Sequence, residues 1–333
     1  KPSQEFDAYA KVAYGTYDTM DVQGAVGFPI SSTVSARVSA LYQSRNDWVD
    51  NEWEPGPESG LGEYETTAYR GQLLWEPNDR FSALLNLHGW DVDGTARIFR
   101  ANIFVPGTNT LVPDFDQEVV YHDGRNKQEI SSFGGVLKLE YDFGGATLTS
   151  VTGYESIDDM YSRGDIDGGY GAVFAPPSGP GHIEFAAESA DGIPTLDQWT
   201  QEVRISSNGG ESWSWLVGAF YFNEELRVES FSYDSLAGGA DDGFAYQEQE
   251  ATSYALFGSV DWKVADLWTI TAGLRYSDDD KDFIAQRLQP LFINTLLFGT
   301  QPSVLIPEHV EDSNVSWDLS ATYKASDNVN YYG

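Results

Sequence analysis

Residues 251–283, ATSYALFGSVDWKVADLWTITAGLRYSDDDKDF, hold two runs in which apolar and polar side chains alternate. Tyr254, Leu256, Val260 and Trp262 share one parity, and Ser253, Ser259 and Asp261 the other, with Phe257 the one large exception. After a break at Lys263 to Asp266, Trp268, Ile270, Ala272, Leu274 and Tyr276 again oppose Thr269, Thr271, Gly273, Arg275 and Ser277. A period of two means strands, and so short a break joins them as an antiparallel hairpin.

The apolar face begins and ends in aromatic rings, Tyr254 with Trp262 and Trp268 with Tyr276. Each pair brackets about nine residues, within the ~9–11 that a tilted strand needs to cross a bilayer. A soluble sandwich alternates too, because its inner face is apolar. Other parts of the chain must decide between these readings.

The remaining strands follow in order. Runs around residues 6–14, 20–30, 34–48, 66–75, 81–90, 131–141, 146–154, 200–207, 213–222 and 315–323 alternate in the same way, and the chain ends in one more start, giving about thirteen strands. Past the first hairpin, connections of a few residues (Ser31 to Thr33, Glu76 to Arg80, Asp142 to Gly145, Asn208 to Glu211, Lys263 to Asp266, Lys324 to Asn328) alternate with long polar stretches. The long ones are expected at about 51–62, 91–127, 163–194, 231–247 and 284–310. Every long connection then lies at one end of the sheet. Sandwiches have no reason to sort loops by side, whereas outer-membrane barrels have short periplasmic turns and long extracellular loops. The expected fold is all-β, an antiparallel transmembrane β-barrel.

Composition agrees. Cysteine is absent, so disulfides, thiolate metal sites and cysteine nucleophiles are excluded. A formal net charge of -33 opposes binding to nucleic acid. No apolar run is long enough for a membrane-spanning helix. The opening KPSQEF is no signal peptide, so a mature chain or a fragment begins here. Because an open edge in lipid leaves backbone groups unpaired, further strands are expected beyond the C-terminal end.

Several stretches resemble the barrel of TonB-dependent outer-membrane receptors. KPSQEFDAYAKVAYGTYDTMDVQGAVGFPIS is similar to that family's join between plug and barrel. DTMDVQGAVGFPISSTVSARVSALYQSRNDWVDN, YRGQLLWEPNDRFSALLNLHGWDVDG, TQEVRISSNGGESWSWLVGAFYFNEE and FGSVDWKVADLWTITAGLRYSDDDKDF resemble its next hairpins in order. The resemblance implies a barrel of about 22 strands around an N-terminal plug. It makes residues 1–333 a partial barrel domain with plug and TonB box absent. It also implies TonB-coupled uptake of a ferric siderophore or similar bulky nutrient across the outer membrane of a Gram-negative bacterium. Cobalamin or glycan uptake, or a passive porin, are the alternatives; outer-membrane lipid, the TonB complex and the nutrient are the implied partners.

Candidate residues divide by parity. Arg37, Arg70, Arg204 and Arg275 have the polar parity on four strands and are expected to line the lumen, since an arginine facing midplane lipid costs roughly 2–4 kcal/mol. Trp48, Trp53, Tyr121, Tyr170, Phe174, Phe231 and Tyr233 offer rigid aromatic surface in the loops, suited to stacking on a siderophore or sugar. The histidines His88, His122, His182 and His309, expected near or beyond the extracellular strand ends, lack metal-ligand spacing. Asp278, Asp279, Asp280 and Asp282 lack the glycine-punctuated spacing of a calcium loop. No nucleophile–base pair, phosphate-cradling loop or catalytic carboxylate pair is present, and neither an enzyme nor a cofactor is expected.

Overall fold

The structure is a computed structural model, and it describes residues 1–53, 56–100, 103–105, 107–168, 188–210, 212–234, 239–288, 304–326 and 329–333. Thirteen strands form one antiparallel sheet in which every strand lies beside its neighbours in sequence. They are β1 (Asp7–Tyr14), β2 (Met20–Ser31), β3 (Val34–Arg45), β6 (Tyr64–Asn78), β7 (Phe81–Gly94), β9 (Lys127–Asp142), β10 (Ala146–Asp165), β11 (Glu188–Ser207), β12 (Trp213–Asp234), β13 (Ala240–Ala265), β14 (Trp268–Leu288), β15 (Ile306–Ser326) and β16 (Val329–Tyr332). A second sheet of three short strands, β4 (Val49–Asn51), β5 (Gly60–Leu61) and β8 (Val119–Val120), lies in the long connections. Among the described residues β1 and β16 do not pair, so the barrel is open.

Register turns the sequence pattern into two faces. Val217, Gly258, Leu274 and Trp317 stand side by side on β12 to β15, as do Ala219, Leu256, Tyr276 and Val315. Leu256 is 64% exposed and Leu274 59%, an apolar surface too large for water to cover at low cost. Such a surface is suited to lipid hydrocarbon.

Aromatic pairs bound this band at both ends. At the short-turn end, Trp213 stacks on Trp262 with ring centroids 5.0 Å apart, and Trp268 meets Tyr323 at 4.9 Å. At the other end, Tyr154 meets Trp199 at 4.7 Å and Tyr221 meets Tyr254 at 5.1 Å. Rings with an apolar body and a polar tip belong at the two interfaces of a bilayer.

The opposite face is polar and internally paired. Arg37 binds Asp7 at 2.6 Å, Lys11 binds Asp21 at 2.7 Å, Lys138 binds Glu140 at 2.9 Å and Arg204 binds Glu202 at 2.5 Å. Phe257, the exception in the alternation, belongs to this face. Its ring occupies the space over Gly218, where a Cβ would lie 2.5 Å from Cζ, and the Arg275 guanidinium sits 5.7 Å from its centroid. A cation over the ring face is attracted by its quadrupole, so a large apolar side chain is accommodated on a wet surface.

The strands at the long-loop end run further than the sequence pattern suggests. The stretches 231–247 and 284–310 are not loops throughout: β12 continues to Asp234, β13 starts at Ala240, β14 continues to Leu288 and β15 starts at Ile306. Likewise β11 starts at Glu188, inside the expected loop 163–194. With 26 residues, β13 has more than twice the length needed to span a bilayer. Above the membrane both faces meet water, so the ladder persists while the alternation that announces it disappears.

Candidate functional site at the long-loop end

The loops after β3 and β7 are tied together by their own small core. Val49, Leu61 and Val120 are fully buried against one another, with Trp48 and Ile98 packed on them. The Trp48 ring lies over Gly62, where a Cβ would be 2.2 Å from Cδ1; with φ of +100° this glycine also has a backbone that other residues rarely adopt. Asn51 locks the arrangement. Its Nδ2 donates to the carbonyls of Glu58 (2.8 Å) and His122 (2.9 Å), while its Oδ1 accepts from the backbone N–H of His122 (2.9 Å) and Trp53 (3.2 Å). The Tyr121 hydroxyl donates to Glu52 at 2.7 Å, next to Trp53 in the chain. Tyr121 is half exposed and its ring is open to solvent.

A second cluster joins β10 and β11 to the loop before β9. The buried Asp165 carboxylate accepts the backbone N–H groups of Asp123 (3.1 Å), Gly124 (3.2 Å) and Gly168 (3.2 Å). Burial pushes its pKa above the ordinary carboxylate value. Arg163 pairs with buried Glu188 at 2.5 Å and lies 3.6 Å from the centroid of the Tyr233 ring. Burial, and then a 3.0 Å hydrogen bond with Tyr161, pushes the Tyr233 phenol up. Phe231 meets Phe244 at 5.0 Å and Tyr161 at 6.2 Å.

Among the expected ligand aromatics, Trp48 and Tyr233 are thus held inside packed clusters, Phe231 lies in an aromatic row on β12, and Trp53 and Tyr121 flank the loop sheet. Tyr170, Phe174 and His182 lie outside the described residues.

The lumen candidates sit on the polar face. Arg37 and Arg204 are ion-paired within the wall, Arg275 also donates to Ser277 Oγ at 3.0 Å, and Arg70 stands opposite His88 in register. His88 is not near a strand end. It lies within β7, 3.2 Å from Glu155 across Gly134, because its strand continues past the polar residues that suggested an end. Buried His122 donates Nε2–H to the Phe99 carbonyl at 2.7 Å, and burial lowers its pKa. His309 meets Asp282 at 3.0 Å. The hydrogen bond to Asp282, and then the charge of Asp280, raises its pKa. Asp123, Asp165 and Asp167 bring carboxylates within 4.8 Å of one another, as do Asp280, Asp282 and His309 their ligand atoms.

Asn51, Arg163 and Asp165 were not legible as site residues. Each acts on groups far away in sequence, and only the fold supplies those partners.

Known structures share this strand architecture. The ferric yersiniabactin uptake receptor FyuA of Yersinia pestis superposes with a TM-score of 0.76 at 14% identity, over 100% of this chain and 46% of its own. The siderophore receptor PiuA of Acinetobacter baumannii gives 0.71 at 14% identity, over 99% and 49%. The copper transporter OprC gives 0.63 at 10%, over 100% and 45%. The chain thus spans about half the length of these structures. At such identities the likeness establishes the fold. The family model for the TonB-dependent receptor-like β-barrel matches residues 88–333, most of the chain. The protein therefore belongs to the TonB-dependent receptor β-barrel family.

Proposed function

We propose that the chain is part of the barrel wall of an outer-membrane receptor that takes up a bulky nutrient, a ferric siderophore foremost, with energy delivered through TonB. The observation that carries this reading is the asymmetry of the two ends: minimal turns on one side, and on the other tall strands capped by a separately packed loop sheet. A passive pore gains nothing from a rigid, cross-linked aromatic rim, whereas capture of a dilute ligand does. Two of the structural neighbours are described as siderophore receptors or uptake receptors, which supports the class of cargo. The copper transporter among them leaves that choice to experiment.

In this reading Trp53 and Tyr121 present ligand-facing rings at the rim. Phe231 extends that surface, and Trp48 and Tyr233 hold its shape. Arg37, Arg70, Arg204 and Arg275 keep the lumen wall charged and stiff. The test is uptake of iron-labelled siderophores by a deletion strain under iron limitation. Loss of uptake of one complex, restored by the wild-type gene and reduced severalfold with Tyr121→Ala, is the expected result. Uptake unchanged by the deletion contradicts the siderophore reading.

A further inference from the structure

The lumen wall holds its arginines in place with one exception. Arg37 is paired with Asp7 and Arg204 with Glu202, while Arg275 is taken by Ser277 and by the rings of Phe220 and Phe257. Arg70 has the same polar parity, facing Ser39 on β3 and His88 on β7, yet among the described residues it meets no carboxylate, carbonyl or ring. His88 is engaged elsewhere, its Nε2 with Glu155 and its Nδ1 with Asn86. In a chain with a formal net charge of -33, a wall guanidinium that no carboxylate claims is a local centre of positive potential.

A hollow of about 400 Å³ opens beside it, with Tyr9, Arg70, His88 and Trp90 around a floor that includes the small side chains of Ser39 and Ala68. All six share the lumen parity. Tyr9, through Ala25, lies in one register row with Ser39, Arg70 and His88, and Trp90 pairs with Ala68 on the same face. Trp90 is thus a diagonal neighbour of Arg70, close enough for one flat molecule to touch both. Its ring is 40% exposed and that of Tyr9 50%. The row continues through Gly134 to Glu155, next in the chain to Tyr154 of the aromatic girdle at the long-loop end. The hollow therefore lies at the outer mouth of the lumen, and its size is that of a small-molecule pocket.

We propose that this hollow is a subsite for a negatively charged aromatic group of the cargo, an arene carboxylate or phenolate whose oxygens pair with Arg70 while its ring lies on Trp90. A guanidinium offers only donors, and its fork matches the two oxygens of a carboxylate. The indole supplies flat apolar surface for an offset or edge-on ring. A neutral sugar would leave the charge of Arg70 unused, and an inorganic anion would leave the ring bare. The proposal rests on the uptake reading for the existence of a cargo and adds that cargo's charge and shape.

The test uses the full-length receptor in detergent, labelled with fluorotryptophan, with the Trp90 resonance identified by Trp90→Phe and followed by fluorine NMR during titration with benzoate or with neutral benzamide. Benzoate should move the Trp90 resonance saturably. Benzamide should bind about tenfold more weakly or not at all, the loss expected for one charge-assisted pair. Arg70→Gln should weaken benzoate by a similar factor and leave benzamide unchanged, whereas Arg70→Lys, which keeps the charge, should retain most of the affinity. A Trp90 resonance indifferent to benzoate overturns the proposal and makes an acidic side chain of the receptor itself the partner of Arg70. Equal affinity for benzoate and benzamide, or benzoate binding unchanged in Arg70→Gln, overturns it as well. A failed titration with siderophore uptake still dependent on the gene removes this subsite alone. Benzoate binding that depends on Arg70, with uptake independent of the gene, removes the siderophore and keeps the anionic arene.

Discussion

At the scale of single residues, the polar wall is fitted by glycines that make room for a neighbour's side chain. A Cβ on Gly134 would lie 1.9 Å from Glu155 Oε2, the far end of a flexible, half-exposed side chain, so Gly134→Ala should displace Glu155 from His88 at a cost well below that of overpacking a core. The NMR shifts of the His88 ring check this, and shifts unchanged in the variant would mean that Glu155 stays in place. Asp165 gives a second case. Three backbone N–H groups depend on its carboxylate, and each left unmade in a buried site costs about 1–3 kcal/mol. Asp165→Ala should free the Gly124 and Gly168 amides to exchange, while Asp165→Asn, which keeps an acceptor oxygen, should protect them better. The pH dependence has a defined sign. A raised pKa means that the folded state holds a proton that the unfolded state has released, so the cluster is most stable below the ordinary carboxylate value and loses stability as pH rises through the raised value. Exchange rates corrected for intrinsic chemistry should show this slope in wild type and lose it in Asp165→Asn. His309 titrates in the other sense of partner. Its midpoint by NMR should lie above 6.5 and fall back towards that value in Asp282→Asn.

At the scale of strands and hairpins, alternation was readable wherever one face meets lipid and the other meets the polar interior. The membrane-crossing part of β13 and β14, with its bounding rings, lies where Tyr254, Trp262, Trp268 and Tyr276 put it. The same rule fails above the membrane. Around Glu248, Gln249 and Glu250 both parities are polar, and nothing local separates a projecting strand from a solvated loop. There the ladder is held by pairs such as Arg227 with Glu248 at 2.5 Å and Phe231 with Phe244, whose members are 21 and 13 residues apart and must be brought together by the hairpin. The loop sheet was illegible for a related reason: β4 and β8 pair in parallel across a long separation, with only two residues in β8. The element-scale prediction contrasts faces. Leu256→Arg should cost roughly 2–4 kcal/mol in lipid, whereas Ser259→Arg, of the polar parity, should cost far less. Unfolding titrations of the two variants in the same vesicles decide, and equal costs would contradict the assignment of faces.

At the scale of the whole molecule, the formal charge of -33 is distributed according to the surroundings. Within the membrane span, charges stay on the polar face and are largely paired. Above it, carboxylates spread over both faces of the projecting strands and into the loop clusters. Among the described residues β1 and β16 are the sheet's two unpaired edges. All of this depends on one assignment, that the parity of Leu256 faces hydrocarbon and the parity of Ser259 faces a water-filled interior. Spin labels placed singly at each position from Ala255 to Val260 in the full-length receptor, reconstituted in lipid, test it directly. The account predicts that accessibility to oxygen peaks at 256, 258 and 260 while accessibility to a water-soluble nickel reagent peaks at 255, 257 and 259. Accessibility that fails to alternate, or alternates in the opposite phase, would contradict it.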